Sequence, residues 1–215
     1  MEKVKVLIFA GGDIEDYSFV NQYVNISDYI ICADSGIGHT RKINLLPDLI
    51  VGDFDSASQE DINYYREKDI DIKNFPTRKD KTDTEIALDM AIEKGAKKIY
   101  IIGGTGTRLD HSLGNIHLLY YALQKNVSAV LINQNNIVHL IDKEIIISGE
   151  KGSIISLIPF SLEVKGVFTK GLDYSLKDAV LYSGSSYGIS NVMTSSTATI
   201  AIKSGFLLII QELKD

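Results

Sequence analysis

The sequence predicts an α/β protein: an N-terminal, mostly parallel sheet with flanking helices, followed by a C-terminal all-β sandwich domain. Two observations carry this. Up to about Leu123, short β-rich runs alternate with longer segments of helical period, the pattern of a parallel sheet with crossover helices. After about Asn126 the helical period disappears, and strand-like runs continue between Gly-, Asn- and Ser-containing turns. The 215 residues suffice for one large domain or two compact ones.

In chain order, residues 4–10, 29–33, 49–51 and 99–102 read as strands, with helices over 58–68, 82–94 and 110–124. The helix from Thr82 is the clearest. The Thr82 hydroxyl can cap the first turn, Glu85 three residues on completes a capping box, Ile86, Met90 and Ala91 supply an apolar face, and Gly95 is a natural stop. The second part offers strands at 127–132, 137–141, 145–147, 153–158 and 198–202, and a turn at 183–186. No Pro- or Ser-rich linker marks the boundary, which falls between Ile132 and Gly149 and is set at residues 135 and 136, so a continuous strand can join the two parts.

Composition excludes several classes. Hydrophobic residues at 45% and charged ones at 23% fit a globular chain with a core and rule against disorder, collagen or a coiled coil. A net charge of −6 without a basic cluster argues against a nucleic-acid partner. Cys32 stands alone, so no intramolecular disulfide forms. The Met-Glu-Lys start lacks a signal-peptide core, and no apolar run approaches the roughly 20 residues of a membrane span. The expectation is a cytoplasmic protein with no membrane contact.

In an open parallel sheet, ligands bind outside the carboxyl ends of the strands. The residues just beyond each strand are therefore informative. Gly11-Gly12 come after the first, Asp34-Ser35-Gly36 after the second, Gly52-Asp53-Phe54-Asp55-Ser56 after the third, and Gly103-Gly104-Thr105-Gly106-Thr107-Arg108 after the fourth. Asp53 and Asp55, two apart, would point the same way from an extended backbone and could hold one hard cation such as Mg²⁺. The same segment also reads as a turn in which Asp side chains bond nearby amides. Asp80 and Asp83 flank Thr82, where carboxylates suit the helix dipole, and either could add a ligand to that cation. The glycines from Gly103 to Gly106 let amides approach phosphates, and Arg108 offers a fork of donors suited to phosphate oxygens. This is not a Walker A loop, since no Gly-Lys-Ser/Thr succeeds it. Asp110 reads equally as a helix N-cap or a ligand contact. His39, His117 and His139 lack metal-ligand spacing, and no nucleophile elbow or Cys–His pairing is present.

Taken in order, Ala33-Asp34-Ser35-Gly36, Gly52-Asp53-Phe54-Asp55-Ser56, Asp80-Lys81-Thr82-Asp83, and Arg108-Leu109-Asp110-His111 with Asn115 resemble the motifs of the thiamine pyrophosphokinase family. Gly171-Leu172-Asp173-Tyr174-Ser175-Leu176 and Gly188-Ile189-Ser190-Asn191 extend the resemblance over nearly the whole chain. It departs at Thr107, where a glycine is frequent, and at Val192, where many bacterial members carry an acid.

The resemblance implies an α/β nucleotide- and Mg-binding catalytic domain over 1–135 and a β-sandwich thiamine-binding and dimerisation domain over 136–215. It implies a homodimer with composite active sites. Asp53, Asp55 and Asp83 would hold Mg²⁺ with Asp80 near. Gly11, Gly12, Asp34, Gly104, Arg108, Asp110, His111 and Asn115 would surround ATP, and Tyr174, Ser190 and Asn191 would meet thiamine. Catalysis would rest on Asp53, Asp55, Asp83 and Arg108. The implied reaction moves pyrophosphate from ATP to the thiamine hydroxyl. The competing readings are a pyrophosphokinase for a hydroxymethyl pterin and a nucleotide sensor without turnover.

Overall fold

The computed structural model describes residues 4–213 apart from Lys79, so the Met-Glu-Lys start lies outside the described residues. The chain divides into two compact units, Met1–Gln134 and Asn135–Asp215. No helix among the described residues is long and apolar enough to cross a membrane.

The first unit is built on strands that are apolar on both faces. β1 (Lys5–Phe9), β2 (Tyr29–Ala33), β3 (Leu49–Gly52), β5 (Lys98–Ile102) and β6 (Ser128–Ile132) are almost wholly buried, as expected where helices cover both sides of a parallel sheet. With β4 (Asp71–Asn74) they run in the order β6-β5-β1-β2-β3-β4, every neighbouring pair parallel. The order reverses at β1, whose neighbours β2 and β5 lie on opposite sides, and this is where such sheets open a crevice beyond their carboxyl ends.

Helices α1 (Val20–Ile26), α2 (Ile37–Lys42), α3 (Gln59–Glu67), α4 (Asp83–Glu93) and α5 (Leu109–Gln124) connect the strands. At α4 the Thr82 hydroxyl accepts from the Glu85 amide at 3.2 Å, and Gly95 ends the segment at φ +89°. Helices α3, α4 and α5 stand where the period predicts them. The short α1 and α2 and the polar edge strand β4 do not show in the pattern. β6, which the pattern groups with the strand-rich second part, pairs parallel with β5. Asp110 is not the N-cap of α5. Arg108, two residues earlier, occupies that position, and Asp110 lies in the first turn.

The second unit is a sandwich of antiparallel sheets. One contains β7 (Asn136–Ile141), β9 (Ile154–Pro159), β12 (Asn191–Val192) and β14 (Leu207–Glu212). The other contains β8 (Glu144–Ser148), β10 (Glu163–Lys170), β11 (Ala179–Tyr182) and β13 (Thr197–Ala201). Alternating residues from both sheets, among them Leu157, Ile209, Val164 and Ile200, form a shared buried core. β10 shifts register between Lys165 and Val167 around Gly166, at φ +67°, which explains why its alternation is hard to read from sequence.

Replacing Thr82 with Ala removes an acceptor for an otherwise unpaired first-turn amide and should lower unfolding stability by about 1 kcal/mol in urea titration. An unchanged midpoint would show that the cap contributes nothing.

Candidate functional site

The loops leaving β1, β2, β3 and β5 meet around a cleft of about 420 Å³ whose lining includes Gly12, Asp34, Asp53 and Gly104. Thr82 and Asp83, at the start of α4, contribute from a further segment. The sheet order thus gathers residues that are far apart in sequence onto one rim.

Asp34, Asp53 and Asp55 each bring a carboxylate oxygen within 4.8 Å of the others. The extended spacing predicted for Asp53 and Asp55 is not how this happens. Phe54 between them is left-handed at φ +63°, and Asp53 Oδ1 accepts from the Asp55 amide at 3.2 Å, so a turn folds the two acids together. A bulky residue in that conformation is strained, and such strain persists where surrounding structure enforces it. Asp34, at φ +47°, enters from the end of the neighbouring strand. Gly52 permits the approach: a Cβ there would lie 3.0 Å from the Asp34 Cα.

Crowding has an electrostatic signature. Burial, and then the charges of Asp83, Asp53 and Asp55, push the Asp34 carboxyl above its ordinary value, against an opposing hydrogen bond from the Ser35 amide. Asp34 Oδ1 is buried without a hydrogen-bond partner. A donor set made only of oxygens, with one orphaned in the interior, fits a hard divalent cation. Asp83 is half-buried and lines the cleft, whereas Asp80 is exposed and is not among the lining residues.

The second glycine turn is tightly tied. The Gly106 amide donates to Ser112 Oγ at 3.1 Å and the Thr107 amide to Asp13 Oδ2 at 3.2 Å, so these two are already committed. Asn115, buried on α5, donates from Nδ2 to the Gly104 carbonyl at 2.8 Å. A side chain on Gly12 would strike the carbonyl oxygens of Gly103 and Thr105 at 2.5 and 2.6 Å, so the turns after β1 and β5 can touch only because it is glycine. Arg108 and His111 line the cleft. Asp110 does not line it and pairs with Arg108 at 2.7 Å, both side chains about two-thirds exposed. That guanidinium holds the Asp110 carboxyl below its ordinary range.

Sequence reasoning does not single out Ser35, Ser56, Thr77, Lys81, Thr84 or Thr105, which also line the cleft. Ser35, Ser56, Lys81 and Thr105 stand inside the sequence motifs without a role of their own there, and Thr77 and Thr84 lie just outside the Asp80–Asp83 motif. Lys81 is held by Asp89 at 2.5 Å, and Tyr121 donates to the other oxygen of that carboxylate at 2.7 Å.

In the second unit, Tyr174 is 69% exposed whereas Asn191 is 2% exposed. Asn191 Oδ1 accepts from the Tyr174 amide at 3.0 Å and from the Val192 amide at 2.9 Å, and its Nδ2 donates to the Tyr174 carbonyl at 2.7 Å. Its amide therefore fixes the backbone that presents Tyr174. Ser190 is exposed and left-handed at φ +56°, its amide donating to Ser156 Oγ at 3.0 Å.

Residues 20–131 match the family model described as "Thiamin pyrophosphokinase, catalytic domain", and 139–207 match "Thiamin pyrophosphokinase, vitamin B1 binding domain". A thiamine pyrophosphokinase of Bacillus subtilis is 31% identical over 211 residues, covering 95% of this chain and 96% of that protein. The chain belongs to the thiamine pyrophosphokinase family. The solved structure of the thiamine pyrophosphokinase from Bacillus subtilis superposes with a TM-score of 0.87 at 30% identity, covering 98% of this chain and all of that one. The thiamin pyrophosphokinase structure from Geobacillus thermodenitrificans gives 0.85 at 28%, covering 99% of each. The expected fold class, a parallel α/β part followed by an antiparallel sandwich, is therefore the family's own.

Because the fold raises the Asp34 pKa, its ionised form opposes folding at neutral pH, and the penalty fades as pH falls toward the ordinary 3.8. In metal-free buffer, Asp34→Asn should raise the thermal midpoint at about pH 7 and gain progressively less toward acid. Asn also tolerates the left-handed backbone found there. A lower midpoint at neutral pH would contradict the crowding.

Proposed function

We propose that this chain transfers a pyrophosphoryl group from ATP to the hydroxyethyl oxygen of thiamine, releasing AMP. The observation that carries the reading is the acid cluster of Asp34, Asp53 and Asp55, with its orphaned buried oxygen, of which Asp34 and Asp53 line a cleft rimmed by glycine turns. Family membership supplies the substrates.

In this reaction the thiamine oxygen attacks the β-phosphorus, the bond from that phosphorus to the oxygen of the α-phosphate breaks, and the hydroxyl proton leaves to a base or to water. Asp53, Asp55 and Asp83 would hold Mg²⁺, with Asp80 nearby, and Asp34, whose buried oxygen lacks a hydrogen-bond partner, would be a further ligand. When bound, the ion would neutralise charge on the phosphate oxygens. The chain's own contribution is alignment and charge. The glycine turns at Gly11-Gly12 and Gly104 give the triphosphate close backbone approach, while Asn115 keeps the second turn in shape. Arg108 can exchange the exposed Asp110 carboxylate for a phosphate oxygen at little cost, since such surface pairs are weak. His111 and Asp110 border the nucleotide.

In the second unit, Tyr174 offers an aromatic face and a hydroxyl to the cationic thiamine, Ser190 a hydroxyl, and Asn191 the scaffold beneath Tyr174. The resemblance further supports a homodimer, which sedimentation of the purified protein tests, and a cytoplasmic enzyme.

Asp53→Asn or Asp83→Asn should lower thiamine-dependent AMP release by about a hundredfold or more while circular dichroism stays native. Near-normal release by either variant would refute the metal assignment. Ser190→Ala should raise the KM for thiamine and spare that for ATP, and equal effects on both would refute its role. Incubation with a panel of hydroxymethyl heterocycles should consume ATP with thiamine and not with a pterin.

A further inference from the structure

Gly12, which lines the cleft, is held from behind by a histidine to which sequence spacing assigns no role. On α2, His39 Nε2 lies 2.8 Å from the Gly12 carbonyl oxygen and Nδ1 lies 2.6 Å from the Tyr17 hydroxyl. A carbonyl only accepts, so Nε2 carries the proton. In the neutral ring, Nδ1 then accepts from the Tyr17 hydroxyl. Burial, helped by Lys42 and opposed by the Gly12 hydrogen bond and by Asp13, lowers the pKa of the imidazole and favours that neutral ring. On its other side, the Gly12 amide donates to the Gly103 carbonyl at 2.8 Å.

Peptide geometry carries this hydrogen bond through to the next residue. A planar trans peptide points its carbonyl and its amide hydrogen in opposite directions. With the Gly12 carbonyl drawn to His39, the Asp13 amide is turned the other way. Gly106 is close by, where a Cβ would lie 3.0 Å from the Asp13 nitrogen, and both Asp13 and Gly106 line the cleft.

We infer that His39 is a positioning residue for nucleotide binding: its imidazole, steadied by Tyr17, fixes the Gly12–Asp13 peptide so that the Asp13 amide is presented to a phosphate oxygen. This rests on reading the cleft as the site of the ATP phosphates. A preset amide costs no reorganisation on binding, and a freely rotating one does.

The test compares wild type, His39→Ala, His39→Gln and Tyr17→Phe by titration with a non-hydrolysable ATP analogue and Mg²⁺, and by steady-state kinetics. Loss of one hydrogen bond on the positioned peptide should weaken analogue binding and raise the KM for ATP about tenfold in His39→Ala, leaving the KM for thiamine within about twofold. His39→Gln, whose amide can donate to Gly12, should recover most of the loss, and Tyr17→Phe should show a smaller effect in the same direction. In ¹⁵N spectra of the wild type, His39 should be the neutral tautomer protonated at Nε2. Unchanged analogue affinity in a folded His39→Ala, equal losses for both substrates, or protonation at Nδ1 in the neutral ring would overturn the inference. If His39→Ala does not fold, Tyr17→Phe and the tautomer decide it. Absence of AMP release by wild type would defeat the proposed reaction alone, since analogue titration still reads the latch. Absence of analogue binding by wild type would overturn both.

Discussion

Carboxylates of like charge do not gather unless the backbone forces them to, and here a parallel sheet does the forcing. β2 and β3 are neighbours in register, Ala33 beside Val51, so the loops beyond them must emerge side by side. Those loops begin with Asp34 and, after Gly52 at the end of β3, with Asp53. Absence of a side chain at Gly52 lets the Asp34 backbone close in, and the left-handed turn at Phe54 folds Asp55 back toward the same point. The fold thus holds an electrostatic cost that a divalent cation is suited to relieve.

The remaining features of the cleft serve the same end from the opposite side. The turns after β1 and β5 press together through Gly12 and Gly103, with Asn115, Ser112 and Asp13 tying down the second turn. A polyphosphate needs both kinds of surface, an acidic rim to share a cation and a rigid glycine turn that lets it approach the backbone closely. In the second unit the logic repeats on a smaller scale, with buried Asn191 spending its amide on the backbone of exposed Tyr174.

Much of this is legible in the sequence because its physics is local. Continuous apolar runs mark the buried parallel strands, and the Thr82 cap and Gly95 stop bracket α4. The hidden features depend on partners distant in the chain. The seven residues of α1 have no side-chain cap, β4 is polar and mostly exposed, and β14 is a continuous apolar run whose period alone cannot separate strand from buried helix. Likewise, the motif around Asp34 implies, by its resemblance to the family, a place beside the nucleotide. Its place among the carboxylates comes only from strand order. Asn191 suggests a substrate contact from its motif, and only its burial reveals the hydrogen bonds that engage it.

The most direct measurement is an anomalous-difference map from crystals grown with Mn²⁺ in place of Mg²⁺ and a non-hydrolysable ATP analogue. The account predicts a peak bounded by Asp34, Asp53, Asp55 and Asp83 and touching the analogue's phosphates. A map with the nucleotide bound and the metal peak away from these carboxylates would contradict it.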